Sequence, residues 1–376
     1  VTALRSDIHS LSSLDARQMG AWRELAAAAV VANPFAEPEV VLPAARRLHP
    51  RDAGLLVVED GSSWRAALPV ASVSRWRHVP GRWLIGWRHP YCYLGTPLLD
   101  PADAEGTLAT LLRRAVREPG AWAFALERVD AAGPFGQALA AVLPAVGRAP
   151  LEVEFFERAL LRRREVPDYL ASAVSSRHRK ELRRTRRLLE AEVGSLVVRD
   201  HAGDEQAPQR FLELERSGWK GRAGTAMAQD REHAALFADL CAGWRDAGRL
   251  QLLALESSER VVAMKCNVRA GDGSFCFKIA FDDALARFSP GIQLEVENIA
   301  AFHAGEAAWM DSCAASDNAM INRLWAERRS LQTLILSSST VRGALGHGVW
   351  KAAWAGRDLN RHIATRRAHA PTSAGH

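Results

Sequence analysis

Apolar residues recur at helical spacing over Leu14–Val31, and Asn33-Pro34 closes that run. The pattern predicts a second helix over Pro38–Leu48, then strands over Gly54–Glu59, Ser63–Trp76, Arg82–Trp87 and Tyr91–Leu94. Asp100-Pro101 reads as the start of a helix whose buried stripe is Leu108, Leu111, Leu112 and Val116. A strand Ala121–Leu126, a helix Phe135–Leu143 and a long strand Leu151–Leu161 complete this part.

The order of elements then begins again. Pro167–Glu192 predicts a long helix with Ala171, Val174, His178, Leu182 and Leu189 along one face. Helices over Glu205–Ser217 and Asp230–Ala247 precede strands over Leu250–Glu256, Val261–Arg269 and Ser274–Phe281, joined by turns short enough for hairpins. A helix Pro290–Ala304, a strand Ala307–Cys313, a helix Asn318–Arg328, a strand Leu331–Ser337 and a helix Thr340–Ala355 follow. Both halves thus read as helices, three antiparallel strands, helix, strand, helix, strand. The expected fold is α/β (α+β), duplicated, with each half a mixed, mostly antiparallel sheet flanked by helices. The expected domains are 1–163 and 164–356, meeting near residues 160–168, with a basic tail over 357–376.

The chain has 376 residues, 48% hydrophobic and 24% charged, which suits two globular domains and excludes a disordered or fibrous chain. No apolar run reaches the ~18 residues of a membrane span, and the N-terminal Arg5, Asp7 and His9 interrupt any secretory signal. Five scattered cysteines, none spaced as a CxxC pair, argue against a disulfide framework or a zinc site and fit a reducing, cytoplasmic setting. The net charge of +6 is local: Arg177, Arg179, Lys180, Arg183, Arg184, Arg186 and Arg187 face only Glu181 between Ser176 and Leu188. Such a helix is either a solvated outer face or a contact for nucleic acid or a phosphorylated acceptor.

Arg287-Phe288-Ser289-Pro290-Gly291 lies between the last hairpin strand and a helix. Ser289 suits an N-cap, Pro290 the first helical position, and Gly291 leaves the exposed amides accessible. Such a turn binds phosphate through free N–H groups and the helix dipole, or simply starts a helix. Its place in the order of elements resembles the GNAT acyltransferase superfamily. Two such units are similar to the FemABX and CelD-like branch. So are Phe211-Leu212-Glu213-Leu214-Glu215, Gly218-Trp219-Lys220-Gly221-Arg222, Phe277-Lys278-Ile279-Ala280-Phe281-Asp282, Met310-Asp311-Ser312-Cys313, Pro90-Tyr91, Gly95-Thr96-Pro97-Leu98 and Asn33-Pro34-Phe35.

The resemblance implies an acyl-CoA co-substrate, acetyl-CoA in the simplest case, with its phosphates on Arg287, Phe288, Ser289, Pro290, Gly291 and Ile292 and its chain beside Ile279, and no metal. The loop keeps a basic residue but one glycine where the superfamily pattern has two. FemABX relatives take an aminoacyl group from tRNA instead, and the basic helix suits that donor. In the first half, Leu98-Leu99-Asp100-Pro101 puts an acid where phosphate would bind, so that half is expected to shape the acceptor cleft.

Amine attack on a thioester needs a neutral amine and a stabilised oxyanion. Asp311 is the expected base, alternatively a strand-end carboxylate capping a turn; Asp282 is second, and Cys313 a candidate acid or nucleophile. Trp219, Lys220, Arg222, Lys278 and Tyr91 are the expected substrate contacts. Lys278, in mid-strand, either faces solvent by alternation or points into the cleft. The expected activity is acyl transfer to the amine or hydroxyl of a small molecule or saccharide precursor. The alternatives are aminoacyl-tRNA-dependent transfer and an idle double module that binds an anionic partner.

Overall fold

The computed structural model describes residues 3–352 apart from 51, 62, 166 and 167. The basic tail, the end of the last expected helix and Pro167 lie outside the described residues. The first half runs β1 (Arg5–Ser10), α1 (Ala16–Ala28), α2 (Pro38–Leu48), β2 (Ala53–Asp60), β3 (Ser63–Trp76), β4 (Val79–Gly86), β5 (Leu98–Leu99), α3 (Ala104–Val116), β6 (Ala123–Asp130), α4 (Gly133–Val146) and β7 (Leu151–Arg162). The second runs α5 (Tyr169–Ala173), α6 (Ser176–Val193), β8 (Val197–Asp200), α7 (Ala207–Ser217), α8 (Trp219–Arg222), α9 (Arg231–Asp246), β9 (Leu250–Glu256), β10 (Val261–Ala270), β11 (Gly273–Phe281), α10 (Pro290–Ala304), β12 (Trp309–Asp311), α11 (Ala319–Asn322) and β13 (Glu327–Ser337). A helix, α12, occupies 341–352.

The expected mixed, mostly antiparallel sheet with flanking helices is present twice over, but the halves share it. One 13-stranded sheet runs β1-β2-β3-β4-β6-β13-β7-β12-β11-β10-β9-β8, with β5 on β3. The parallel pairs β4·β6 and β11·β12 occupy matching places in the two halves. At the centre the last strands are exchanged: β7 lies beside β12, and β13 beside β6. Arg158-Ala159-Leu160 and Arg329-Ser330-Leu331 are the matching segments. Arg158 pairs with Arg329 across β7·β13, Leu160 with Asp311, and Leu331 with Asp130. A local twofold therefore passes between the two arginines. The chain boundary near residue 163 is not a seam in the sheet.

Several expected elements differ. Tyr91–Leu94 is a buried connection rather than a strand. The helix expected over 167–192 is broken, because Val174 is extended and Ser175 caps α6 by accepting the His178 N–H at 3.3 Å. The expected helix over Asn318–Arg328 ends early, and Glu327 and Arg328 are strand, since they pair in register with Leu160 and Ala159 of β7. β1 and β8 carry no strong apolar alternation; each is an edge strand with a single neighbour, which tolerates polar sequence on its free side.

The largest buried side chains of the shared core come from both halves. Phe35, Tyr91 and Leu94 pack with Phe211, Phe237, Trp244, Phe275 and Phe277 on the face that carries α2, α7 and α9. This joint core places a first-half loop against the middle of β11.

A basic, half-buried site on the edge of strand β11

Two irregularities of β11 build the site. Its pairing with β10 slips so that Cys266 opposes Lys278 while Asn267 opposes Cys276, leaving Phe277 as an extra residue. A bulge interrupts strict alternation, so Phe277 and Lys278 both reach the face that holds Tyr91. The Tyr91 ring lies 6.2 Å from that of Phe277, and the Lys278 Nζ stands 5.0 Å from its centre. Lys278 therefore points into the joint core and not to solvent. On its other side β11 pairs with β12 only over Gly273–Phe275. From Cys276 onward no strand among the described residues covers that edge.

Tyr91 arrives on a loop that is pinned twice. Buried Asn33 donates from Nδ2 to the carbonyls of Leu94 (3.1 Å) and Thr96 (2.7 Å), and accepts the Phe35 N–H at 3.0 Å. Gly95 donates its N–H to the Arg128 carbonyl at 3.0 Å, and a Cβ there would stand 2.0 Å from the Glu127 carbonyl oxygen. Only glycine permits that approach. The same contact covers β6 where it parts from β4, so the first half's own loop fills the gap matching the open edge of β11. The Tyr91 hydroxyl then meets His233 Nδ1 of α9 at 2.9 Å.

Glu215 sits on the buried stripe of α7 with Phe211 and Leu212. Its carboxylate accepts from Lys220 Nζ at 2.8 Å and from the Met227 N–H at 2.9 Å. Lys220 also donates to the Ile279 carbonyl at 3.1 Å, on the strand that bears Lys278. Burial pulls the Lys278 ammonium down to a pKa of about 8; repulsion from Lys220 adds to this and Glu215 opposes it. Burial, with Glu215 and Asp230, pushes the Tyr91 phenol up to about 12. Among the described residues Lys278 has no carboxylate partner. The site thus holds a half-buried cation free to meet a negative charge beside an open strand edge.

The expected bases lie elsewhere. Asp311 is fully buried and accepts from Arg158 Nη2 at 2.6 Å, Arg329 Nη1 at 2.8 Å and the Cys313 N–H at 2.9 Å. Burial alone would raise its pKa, but the two guanidiniums outweigh it and hold the carboxyl below the usual range. A carboxylate held this way is a poor proton acceptor. Its image about the twofold, Asp130, accepts from Arg329 Nε at 2.6 Å, so each half's aspartate is held by an arginine of the other half. Asp282 caps a short 3₁₀ turn through the Ala284 N–H and pairs with Arg260. Burial and the neighbouring Asp311 push the Cys313 thiol well up, against a role as nucleophile.

The expected phosphate turn is only partly built for an anion. Ser289 is left-handed (φ 53°) and makes no side-chain cap. Pro290 has no N–H, while Ile292 and Gln293 return theirs to the Ser289 carbonyl at 2.9 and 3.1 Å. Gly291 faces the sheet: a Cβ there would meet Phe281 at 3.3 Å and Ile279 at 3.7 Å. Its missing side chain serves close helix–strand packing at least as much as ligand access. Arg287 is exposed, stacks on Phe288 and pairs with Glu192 at 2.8 Å. Of the other expected contacts, Arg222 turns away to Asp283 at 2.8 Å and Trp219 is half exposed.

Residues 176–319 match a family described as an acetyltransferase (GNAT) domain. The matched stretch runs from α6 to the start of α11 and so includes β11 and its open edge. Its fold is similar to that of FemX (TM-score 0.58, 11% identity, 85% of this chain and 96% of that one). It is also similar to L-PGS from Bacillus licheniformis (0.54, 12%, 87% and 93%). A third likeness is the C-terminal DUF2156 domain of a putative lysylphosphatidylglycerol synthetase from Agrobacterium fabrum (0.54, 13%, 88% and 95%). No curated protein matches in sequence. Among the described residues no helix is long and apolar enough to cross a membrane, and no group of three His, Cys, Asp or Glu is placed to hold a metal ion.

Of the expected contacts, the fold brings Lys220, Lys278, Tyr91 and Ile279 together. Glu215 and His233 join them and were not among the expected contacts. Glu215 was visible as an acid on the apolar stripe of a helix, five residues before Lys220. His233 carried no comparable mark.

Proposed function

We propose that the protein is an acyltransferase acting at the open edge of β11, with an acyl-CoA thioester as donor and an amine as acceptor. The parting of β11 from β12 after Phe275, directly beside Lys278, is the observation that carries this reading. An unpaired strand edge offers peptide N–H and C=O groups to an extended, amide-bearing donor chain, as in strand addition. Gly291, Arg287 and the α10 dipole are the groups available for its phosphates. When the acceptor nitrogen attacks the acyl carbon, negative charge develops on the acyl oxygen. The Lys278 ammonium, desolvated and unpaired, stabilises that charge more strongly than an exposed lysine would. Lys220, held by Glu215, fixes the Ile279 peptide and with it the local course of the edge. Tyr91 and His233 bring the two halves together over the site, where a small-molecule or saccharide acceptor would enter.

A second reading, an aminoacyl ester of tRNA as donor, is favoured by the sparse phosphate turn, where Pro290 supplies no N–H and two further amides are already bonded. Thermal denaturation separates the two. Acetyl-CoA at 100 times its dissociation constant should stabilise the fold by about 2.7 kcal/mol. No shift with acetyl-CoA but a clear one with aminoacyl-tRNA would replace the first reading by the second, and no shift with either would leave a binding module without donor chemistry.

A further inference from the structure

Helix α6 buries Leu182 and Leu189 and turns another face, bearing Arg179, Arg183, Arg186 and Arg187, toward α10. These positions are i, i+4, i+7 and i+8 on one side of a helix. Between that side and α10 lies a cavity of about 550 Å³ with Leu170, Leu182 and Val296 as its apolar floor. It shares no residue with the Lys278 site.

The charges here are unbalanced. Arg186 is committed, donating to Glu190 at 2.8 Å, Glu297 at 3.1 Å and the Leu196 carbonyl at 3.0 Å. Glu297 is thereby used. Asp168, the other acid in the wall, accepts the Ala171 N–H at 3.0 Å as the cap of α5. Among the described residues none of Arg179, Arg183 and Arg187 has a carboxylate partner. Arg179 Nε is sealed from solvent with no acceptor. Like charges one turn apart destabilise a helix, and a sealed donor without an acceptor is costly. One anion in the cavity, whose wall includes Arg179, Arg183 and Arg187, would relieve the repulsion. Guanidinium forks match phosphate oxygens, and the floor suits an apolar group attached to them.

We propose that this cavity binds a phosphate monoester carried on an apolar body, at a site separate from acyl transfer. The proposal does not depend on the transfer reading. Calorimetry on the full chain should show one equivalent of phenyl phosphate binding, more tightly than inorganic phosphate because of the apolar floor. Arg183→Gln and Arg187→Gln should each weaken it about tenfold or more, without lowering the melting temperature, since each relieves repulsion. Saturating acetyl-CoA should leave the phenyl phosphate affinity unchanged. A lipid head group presents the same chemistry as a soluble ester. Tighter binding of dihexanoyl phosphatidate than of phenyl phosphate would support the site with a lipid source, and the reverse order would support it with a soluble one. Absence of one-to-one binding, equal affinity in the variants, or competition by acetyl-CoA would overturn the proposal. So would a short single-stranded RNA that binds where phenyl phosphate does not, which would make the face a nucleic-acid contact.

Discussion

Replacing Asp311 by Asn tests whether this residue holds the two halves together or moves protons. The wild-type carboxylate is inaccessible to solvent and takes charge-assisted bonds of 2.6 and 2.8 Å from Arg158 and Arg329. The variant leaves Arg158 without an acid and Arg329 with Asp130 alone. Breaking a buried ion pair from one side costs about 3–5 kcal/mol. The retained amide oxygen still accepts one bond, so the lower end, about 3 kcal/mol, is expected. At about 2 °C per kcal/mol for a chain of this size, the melting temperature falls by about 6 °C. The pH dependence has a definite sign. The folded pKa is depressed, so the carboxylate contributes its full stability above its unfolded pKa, and that contribution is lost as pH falls through the folded value. The gap between wild type and variant should therefore be full at pH 7 and begin to close only below about pH 4. Denaturant titrations at a series of pH values measure it. Arg158→Met provides the cycle, because its effect should be largely absent once Asp311→Asn is already in place. A variant with wild-type stability, turnover lowered by about 10²-fold or more, and no rising limb in its pH–rate profile would refute this reasoning and restore Asp311 as a general base.

Other substitutions probe the same account. Gly95→Ala drives a methyl group against the Glu127 carbonyl and should cost several kcal/mol in denaturant titration, about as much as a severe core lesion; a neutral outcome would mean that the loop under Tyr91 is not pinned as described. Glu215→Gln removes the one charge that raises the Lys278 pKa, so in NMR titration Lys278 should deprotonate below its wild-type value of about 8; an unchanged titration would place the two apart. Because Lys278 binds its proton less tightly folded than unfolded, wild-type stability should rise relative to Lys278→Met as pH climbs from about 8 toward 10.5, and a constant difference would show an ordinary solvated lysine.

Much of the architecture was legible because its patterns are local. β3, β9, α2 and α10 have the bounds that periodicity and the Pro starts indicate. What escaped depends on contacts distant in sequence. Glu327 and Arg328 read as the end of a helix and become strand because β7, far earlier in the chain, offers a partner in register. Asp311 at a strand end looks like a base until Arg158 and Arg329 are seen to close on it, and neither arginine is its neighbour along the chain. Lys278 was ambiguous because one inserted residue, Phe277, decides its face, and a bulge is set by pairing with β10 rather than by composition. Tyr91 has a different local structure from the one expected, since its buried, apolar surroundings suggest a strand where Asn33 and Gly95 instead hold a loop.

The central claim, that acyl transfer occurs at the edge of β11 under the charge of Lys278, is tested most directly by Lys278→Met in a single-turnover assay. Acetyl-CoA serves as donor and hydroxylamine, already uncharged near neutral pH, as acceptor, so that the amine's own titration does not intrude. Removing the charge that faces the developing oxyanion should lower the rate by about 10²–10³-fold, with donor affinity and folding retained. Full turnover in a folded Lys278→Met protein that still binds acetyl-CoA would contradict the account.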